Sequence, residues 1–220
     1  MIKCCIFDLD GTVLDTVSTI TYFVNQTLSK HGISAITEDA CKYFAGDGAR
    51  NLIKRSLSSK GIEDSWRVDS ILSEYIDAYD KNPLHLTRVF TGIEAMLLEL
   101  KSRGIRLVLL SNKPDEAVKN IVSHFFEGIF DEAVGAKERV PLKPDPTSAK
   151  DILKRLGISE RETAFVGDTS TDIKTAKNLG CALSIGVLWG FRELEELLGA
   201  GADVTVKSPD EILWEVLSVV

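Results

Sequence analysis

Cys4-Cys5-Ile6-Phe7-Asp8-Leu9-Asp10-Gly11-Thr12-Val13-Leu14-Asp15 decides how the rest of the chain is read. A short apolar run ends in two carboxylates one residue apart, then Gly-Thr and a third Asp. Strand side chains alternate faces, so Asp8 and Asp10 emerge together at the strand's carboxyl end. Two like charges so close need a cation, a shared proton or a catalytic use. The plainer alternative is a strand entering an Asp-Gly turn, and other segments must decide between them.

Beyond Asp15 the rhythm becomes helical. Ile20, Phe23, Val24, Thr27 and Leu28 recur on one helical face until His31-Gly32. A second helix over 38–44 starts from Thr37 as N-cap, and Gly46-Asp47-Gly48 reads as a mobile loop. Helices carrying Ala49, Leu52, Ile53 and Leu57, and then Val68, Ile71, Tyr75 and Tyr79, follow before Asn82-Pro83. From Thr91 helix and strand alternate. Strands are expected at 105–111, 132–135, 163–167, 182–187 and 203–206, with helices between them. Unbroken apolar runs such as Leu107-Val108-Leu109-Leu110 suit parallel strands covered on both faces. The fold class is α/β: a doubly wound, mostly parallel Rossmann-like sheet with a separate all-helical cap inserted after strand one. Residues 1–15 and 85–220 form the expected core and 16–84 the cap. Connectors at 15–16 and 83–89 are where a hinge belongs.

The 220 residues carry 26 Lys and Arg against 33 Asp and Glu, a formal charge of −7. No basic block interrupts that balance, which argues against nucleic acid or an anionic membrane as partner. No apolar stretch approaches a membrane span. Cys4, Cys5, Cys41 and Cys181 lack Cys-x-x-Cys spacing and read as free thiols of a reducing compartment. The first residues enter a strand without the regions of a secretory signal, so a cytoplasmic location is expected.

In an open parallel sheet, ligands bind beyond the carboxyl ends of the strands. Four segments deliver polar groups there: Asp8 and Asp10; Ser111, Asn112 and Lys113; Lys143 in Val-Pro-Leu-Lys-Pro-Asp-Pro; and Gly167-Asp168-Thr169-Ser170-Thr171-Asp172. Singly each has a bland reading, as a helix cap, a solvated cation or a turn; together they suit phosphoryl transfer. Several carboxylates around one point make a hard-oxygen site for Mg²⁺. One carboxylate can attack phosphorus, and a second can protonate the leaving oxygen and then activate water. A hydroxyl, backbone amides and a Lys can hold the non-bridging oxygens. A small phosphorylated metabolite is the expected partner. The oligomeric state is not written in the chain.

Asp8-Leu9-Asp10-Gly11-Thr12, Ser111-Asn112, Lys143-Pro144 and Gly167-Asp168-(three residues)-Asp172 resemble, in order, the four motifs of the haloacid dehalogenase superfamily. The resemblance implies Asp8 as nucleophile, Asp10 as general acid and base, and Lys143 as the cation that stabilises the phosphoryl group and orients Asp8. It implies phosphate binding by Gly11, Thr12, Ser111, Asn112 and Lys143. It implies Mg²⁺ held by Asp8, the Asp10 carbonyl and Asp168, with Asp172 in support. Dehalogenases of the superfamily lack the second Asp, so Asp10 favours phosphate chemistry. In the cap, Gly46-Asp47-Gly48-Ala49 and Leu52-Ile53-Lys54-Arg55-Ser56-Leu57 are similar to a pattern of phosphoglycolate phosphatases, as are Ser111-Asn112-Lys113-Pro114 and Gly186-Val187-Leu188-Trp189-Gly190-Phe191. The glycines let backbone approach a substrate closely. Gly46, Asp47, Gly48, Arg50, Lys54 and Arg55 are therefore candidate specificity residues, the arginines suited to pairing with a carboxylate. The expected activity is Mg²⁺-dependent hydrolysis of a small phosphate monoester, 2-phosphoglycolate first. The alternatives are a β-phosphoglucomutase-like phosphotransferase or a pyrophosphatase, and, more remotely, a non-enzymatic phospho-acceptor domain.

Overall fold

Residues 1–219 are described by a computed structural model. Strand β1 (Cys4–Phe7) is completely buried, with Cys4 and Ile6 facing one side of the sheet and Cys5 and Phe7 the other. Around it lie β4 (Arg106–Pro114), β5 (Glu132–Ala136), β6 (Thr163–Gly167), β7 (Leu183–Val187) and β8 (Val204–Val206), in the order β5-β4-β1-β6-β7-β8. Every neighbouring pair is parallel. The winding reverses between β1 and β6, which makes their carboxyl ends the topological switch point of the sheet. Phe7 pairs in register with Val166, so the next residues, Asp8 and Gly167-Asp168, leave the sheet side by side.

Helices α5 (Ile93–Ser102), α6 (Asp115–Phe125) and α10 (Pro209–Ser218) cover one face, burying Met96, Leu97, Val118 and Ile212 against Phe7, Leu107 and Leu109. Helices α7 (Thr147–Leu156) and α8 (Ser170–Leu179) cover the other, with Ile152 and Ala176 packed on Ile6 and Phe165. Short α9 (Leu194–Gly199) closes over the β7–β8 edge. Burial on both faces explains the unbroken apolar strands.

The helical insert has a core of its own. Its helices α1 (Val17–Lys30), α2 (Glu38–Phe44), α3 (Ala49–Ser58) and α4 (Ser65–Lys81) pool Val24, Leu28, Ile53, Leu57, Ile71 and Tyr75. Thr37 caps α2 as its sequence position suggests, accepting from the Ala40 amide at 3.1 Å. One core residue, Phe191, reaches into this second cluster.

The two connectors are not bare linkers. Residues Leu14–Asp15 (β2) and Arg88–Val89 (β3) form an antiparallel ribbon, Leu14 opposite Val89 and Asp15 opposite Arg88. The ribbon is anchored in the main core, where Leu14 is fully buried and Val89 packs beside it. Strand β4 also runs further than the apolar pattern indicates, through Pro114, with a register shift after Leu110. That irregularity puts Ser111, Asn112 and Lys113 on an extended segment instead of at a helix cap, and lets successive side chains diverge.

Candidate active site

Asp8 lies just past β1 and is 6% exposed, while Asp168 and Asp172 are fully buried. One carboxylate oxygen from each of the three lies within 4.8 Å of the others. Each is held differently. Asp168 accepts from the Thr12 hydroxyl at 3.0 Å and from the Phe191 amide at 2.7 Å. Asp172 accepts from the Thr169 amide and hydroxyl through one oxygen and from the Lys143 ammonium, at 2.7 Å, through the other. The same ammonium stands 2.8 Å from Asp8 Oδ1, an ion pair in distance whose direction leaves that oxygen without a hydrogen bond.

Burial raises the Asp8 carboxyl most, Asp172's charge raises it further, and Lys143 only partly offsets them. Asp168 is pushed well up by burial and then by Asp172 and Asp8. Burial alone would lower the Lys143 ammonium, but Asp172 and Asp8 hold it above its ordinary range. Asp10 turns away from this cluster: both its oxygens lie 3.0 Å from Lys113 Nζ. Four carboxylates facing two ammoniums leave a formal excess of two negative charges. Hard oxygens, an excess of two and an unbonded buried oxygen on Asp8 fit a divalent cation such as Mg²⁺. Its hydrogen bond to the Lys143 ammonium suits Asp172 to orienting that side chain.

Glycines make the close packing feasible. Gly11 has φ +82°, and a Cβ there would lie 2.1 Å from Asp168 Oδ2. A Cβ on Gly190 would lie 2.3 Å from the Asp168 Cβ. The Trp189 ring nitrogen donates to the Thr12 carbonyl at 3.0 Å, fixing the turn that follows Asp10.

Asp8, Asp10, Ser111 and Asn112 open on one cavity of about 60 Å³, roofed by Gly46, Gly48 and apolar residues of the insert. Asn112 Nδ2 donates to the Gly46 carbonyl at 3.2 Å and to the Lys143 carbonyl at 3.0 Å, and its oxygen accepts from the Lys143 amide at 2.9 Å. Asp47 accepts from the Thr171 hydroxyl at 2.5 Å and pairs with Arg55. Against the burial that raises it, these donors hold the Asp47 carboxyl below its usual range. The loop read as mobile is thus tied to the core at two residues, because its backbone and its carboxylate both find donors across the interface.

The basic residues of α3 do not reach the cavity. Arg50 pairs with Asp69 on the exposed surface, and Arg55 is taken up by Asp47 and the Phe44 carbonyl. Lys54 is also exposed. Ala49 and Leu52 are the α3 residues on the cavity wall, and Asp69 and Asp47 claim both guanidiniums. Lys113 is the cation found there instead. In the sequence Lys113 is marked only by its place beside Ser111 and Asn112. Tyr79, which also lines the cavity, read only as a core residue of a helix.

Histidines stay out of the site: His31 follows α1 and pairs with Glu74, His85 stacks on Tyr22, and His124 packs on Phe125. Trp214 is 75% exposed. The four cysteines are free. Among the described residues no helix is long and apolar enough to cross a membrane.

The family model described as haloacid dehalogenase-like hydrolase matches residues 5–185. A phosphoglycolate phosphatase of Vibrio parahaemolyticus is 31% identical, over 99% of this chain and 97% of its own. A crystal structure from Lactobacillus delbrueckii subsp. bulgaricus, provisionally named a phosphoglycolate phosphatase, superposes with a TM-score of 0.94 at 30% identity, covering 98% of both chains. A β-phosphoglucomutase from Clostridium difficile has the same fold, with a TM-score of 0.79 at 23% identity over 98% of this chain and 97% of its own.

Proposed function

This chain belongs to the haloacid dehalogenase-like hydrolase family and is a phosphatase, and we propose that it hydrolyses a short phosphate monoester, 2-phosphoglycolate first, in two displacements on phosphorus. The observation that carries the reading is Asp8: a buried carboxylate with an unbonded oxygen, at the floor of the cavity that Asp10 also lines. In the first displacement an Asp8 oxygen bonds to phosphorus as the ester P–O bond breaks, and Asp10 gives its proton to the leaving oxygen. In the second, water attacks the aspartyl-phosphate, Asp10 takes the water's proton, and the P–O bond to Asp8 breaks to release phosphate.

Lys143 holds Asp8 in line and offers its charge to the non-bridging oxygens, while Ser111 and the backbone after Gly11 supply further donors. Asp172 and Thr169 keep Lys143 aimed. Asp8 and Asp168 would hold Mg²⁺, which when bound neutralises charge on the transferring phosphoryl group. The insert excludes water during the first displacement, and Asn112 senses its position through the Gly46 carbonyl.

The test is a screen of 2-phosphoglycolate, β-glucose 1-phosphate, pyrophosphate and nucleotides with Mg²⁺, then with EDTA. The expected result is preferred turnover of 2-phosphoglycolate that EDTA silences and Mg²⁺ restores. Preference for another ester overturns the substrate assignment and spares the mechanism; wild-type rates in Asp8→Asn overturn the mechanism itself.

A further inference from the structure

The leaving-group side of the cavity is apolar on most of its wall, with Ile20, Leu52 and Ile76 contributed by the insert. Among the described residues lining it, Lys113 is the only cation, and its side chain is 6% exposed. The ammonium lies 3.0 Å from both Asp10 oxygens and 4.3 Å from the centre of the Tyr79 ring. An ammonium has three donors, so pairing with Asp10 leaves capacity for another acceptor. Tyr79 is 3% exposed, and its buried hydroxyl has no hydrogen-bond partner. Burial, reinforced by the Asp10 charge, keeps that phenol protonated far above its ordinary range, so it remains a donor. A buried donor without an acceptor costs about 1–3 kcal/mol, a cost that a ligand oxygen would remove.

We infer that Lys113 and Tyr79 form a subsite for a carboxylate carried by the leaving group, and that this pair, not Arg50 or Arg55, selects an anionic ester. The inference rests on the phosphatase reading and assigns the residues that choose its substrate. A carboxylate can accept from the ammonium and the phenol together, and charged acceptors make the stronger hydrogen bonds. Its negative charge answers the one cation on that wall. Three acids oppose it on the same lining: Asp8 and Asp10 at the floor, Asp10 already paired with Lys113, and Asp80, which is exposed and screened by solvent. The guanidiniums of α3 are committed to Asp69 and Asp47 outside the cavity. Lys113 also comes from β4 of the core while Tyr79 comes from α4 of the insert, so the subsite is complete only with the insert lowered.

The experiment compares kcat/KM for 2-phosphoglycolate and ethyl phosphate, which keeps the two-carbon tail without the anion. The proteins are wild type, Lys113→Met, Lys113→Arg and Tyr79→Phe, all full length with Mg²⁺. Wild type should favour 2-phosphoglycolate, and Lys113→Met should lose about 100-fold on it, by the usual cost of removing one member of a buried charge pair. The loss on ethyl phosphate should be at least about tenfold smaller, since an ester without the anion forfeits no charged hydrogen bond. Lys113→Arg should recover part of the discrimination. Tyr79→Phe removes a single oxygen and should cost about tenfold on 2-phosphoglycolate alone, a result that stands even if Lys113→Met fails to fold. Equal losses on both esters would make Lys113 a residue that merely positions Asp10 and overturn the subsite. Wild-type preference for ethyl phosphate overturns the subsite and leaves the phosphatase reading intact, whereas turnover of neither ester by wild type overturns both.

Discussion

Arg192, on the segment after β7, donates to the carbonyl of Ala45 in the helical insert across 2.8 Å. The same guanidinium reaches the Lys42 and Tyr43 carbonyls, so one core side chain caps the C-terminus of α2. Such carbonyls have no partner inside their own helix. The neighbouring Phe191 amide donates to Asp168. Consecutive residues thus hold the acid cluster and the insert.

Arg192→Met should loosen the insert. Hydrogen exchange over residues 38–48 should accelerate about tenfold, from the loss of charged hydrogen bonds, and KM should rise more than kcat falls. Arg192→Lys should not rescue, because a single ammonium cannot span three carbonyls as a planar fork does. Unchanged exchange in the methionine variant would show that the contact holds nothing.

Asp8 predicts the pH dependence of the metal-free protein. Its carboxyl is raised in the folded state from 3.8 to about 7 by burial and by Asp172, against Lys143. Between those values the folded chain holds a proton that the unfolded chain has released, so this group's stabilisation is lost as pH rises through the window. In EDTA, melting temperature should fall between about pH 4 and 7, and Asp8→Asn should flatten that fall. Mg²⁺ at pH 8 should raise it again by binding the folded state. Calorimetry across the pH series reads all three.

Lys143→Met should destabilise as well as inactivate. It strands Asp8 and Asp172 in the interior without their shared ammonium. Removing one partner of a buried pair costs about 3–5 kcal/mol, roughly 10 °C in melting temperature for a chain of this size. A variant that melts like wild type would mean those carboxylates find other compensation.

Gly190→Ala should distort Asp168. The added Cβ would meet the Asp168 side chain at 2.3 Å and the Gly11 carbonyl at 2.5 Å, so one of them must move. Displacing a site carboxylate by about 1 Å can cost 100-fold in rate. Gly199→Ala has open space around it and is the matched control, expected to leave turnover unchanged.

Local pattern and chain order made most of the architecture legible. A run of four buried residues with alternating contacts, as in Cys4–Phe7, has only one sheet environment that suits it, and Asp8 must then leave at its carboxyl end. The same logic places Ser111, Lys143, Asp168 and Asp172 at that edge from sequence alone. Periodicity likewise marked the helices of the insert, because each buries a stripe against the others.

Contacts between segments far apart in the chain carry no such pattern. Arg50 and Arg55 read as candidate substrate cations, yet Asp69 and Asp47 hold them outside the cavity. In the sequence Lys113 is one of three polar residues after a strand and Tyr79 one residue of a helical stripe; the docking of the insert on β4 brings them together. Arg192 and Ala45 are 147 positions apart. Side-chain periodicity is a property of one element, so it dictates which face each element buries; which charge finds which partner across two packed bodies depends on their docking, and only the folded chain determines that.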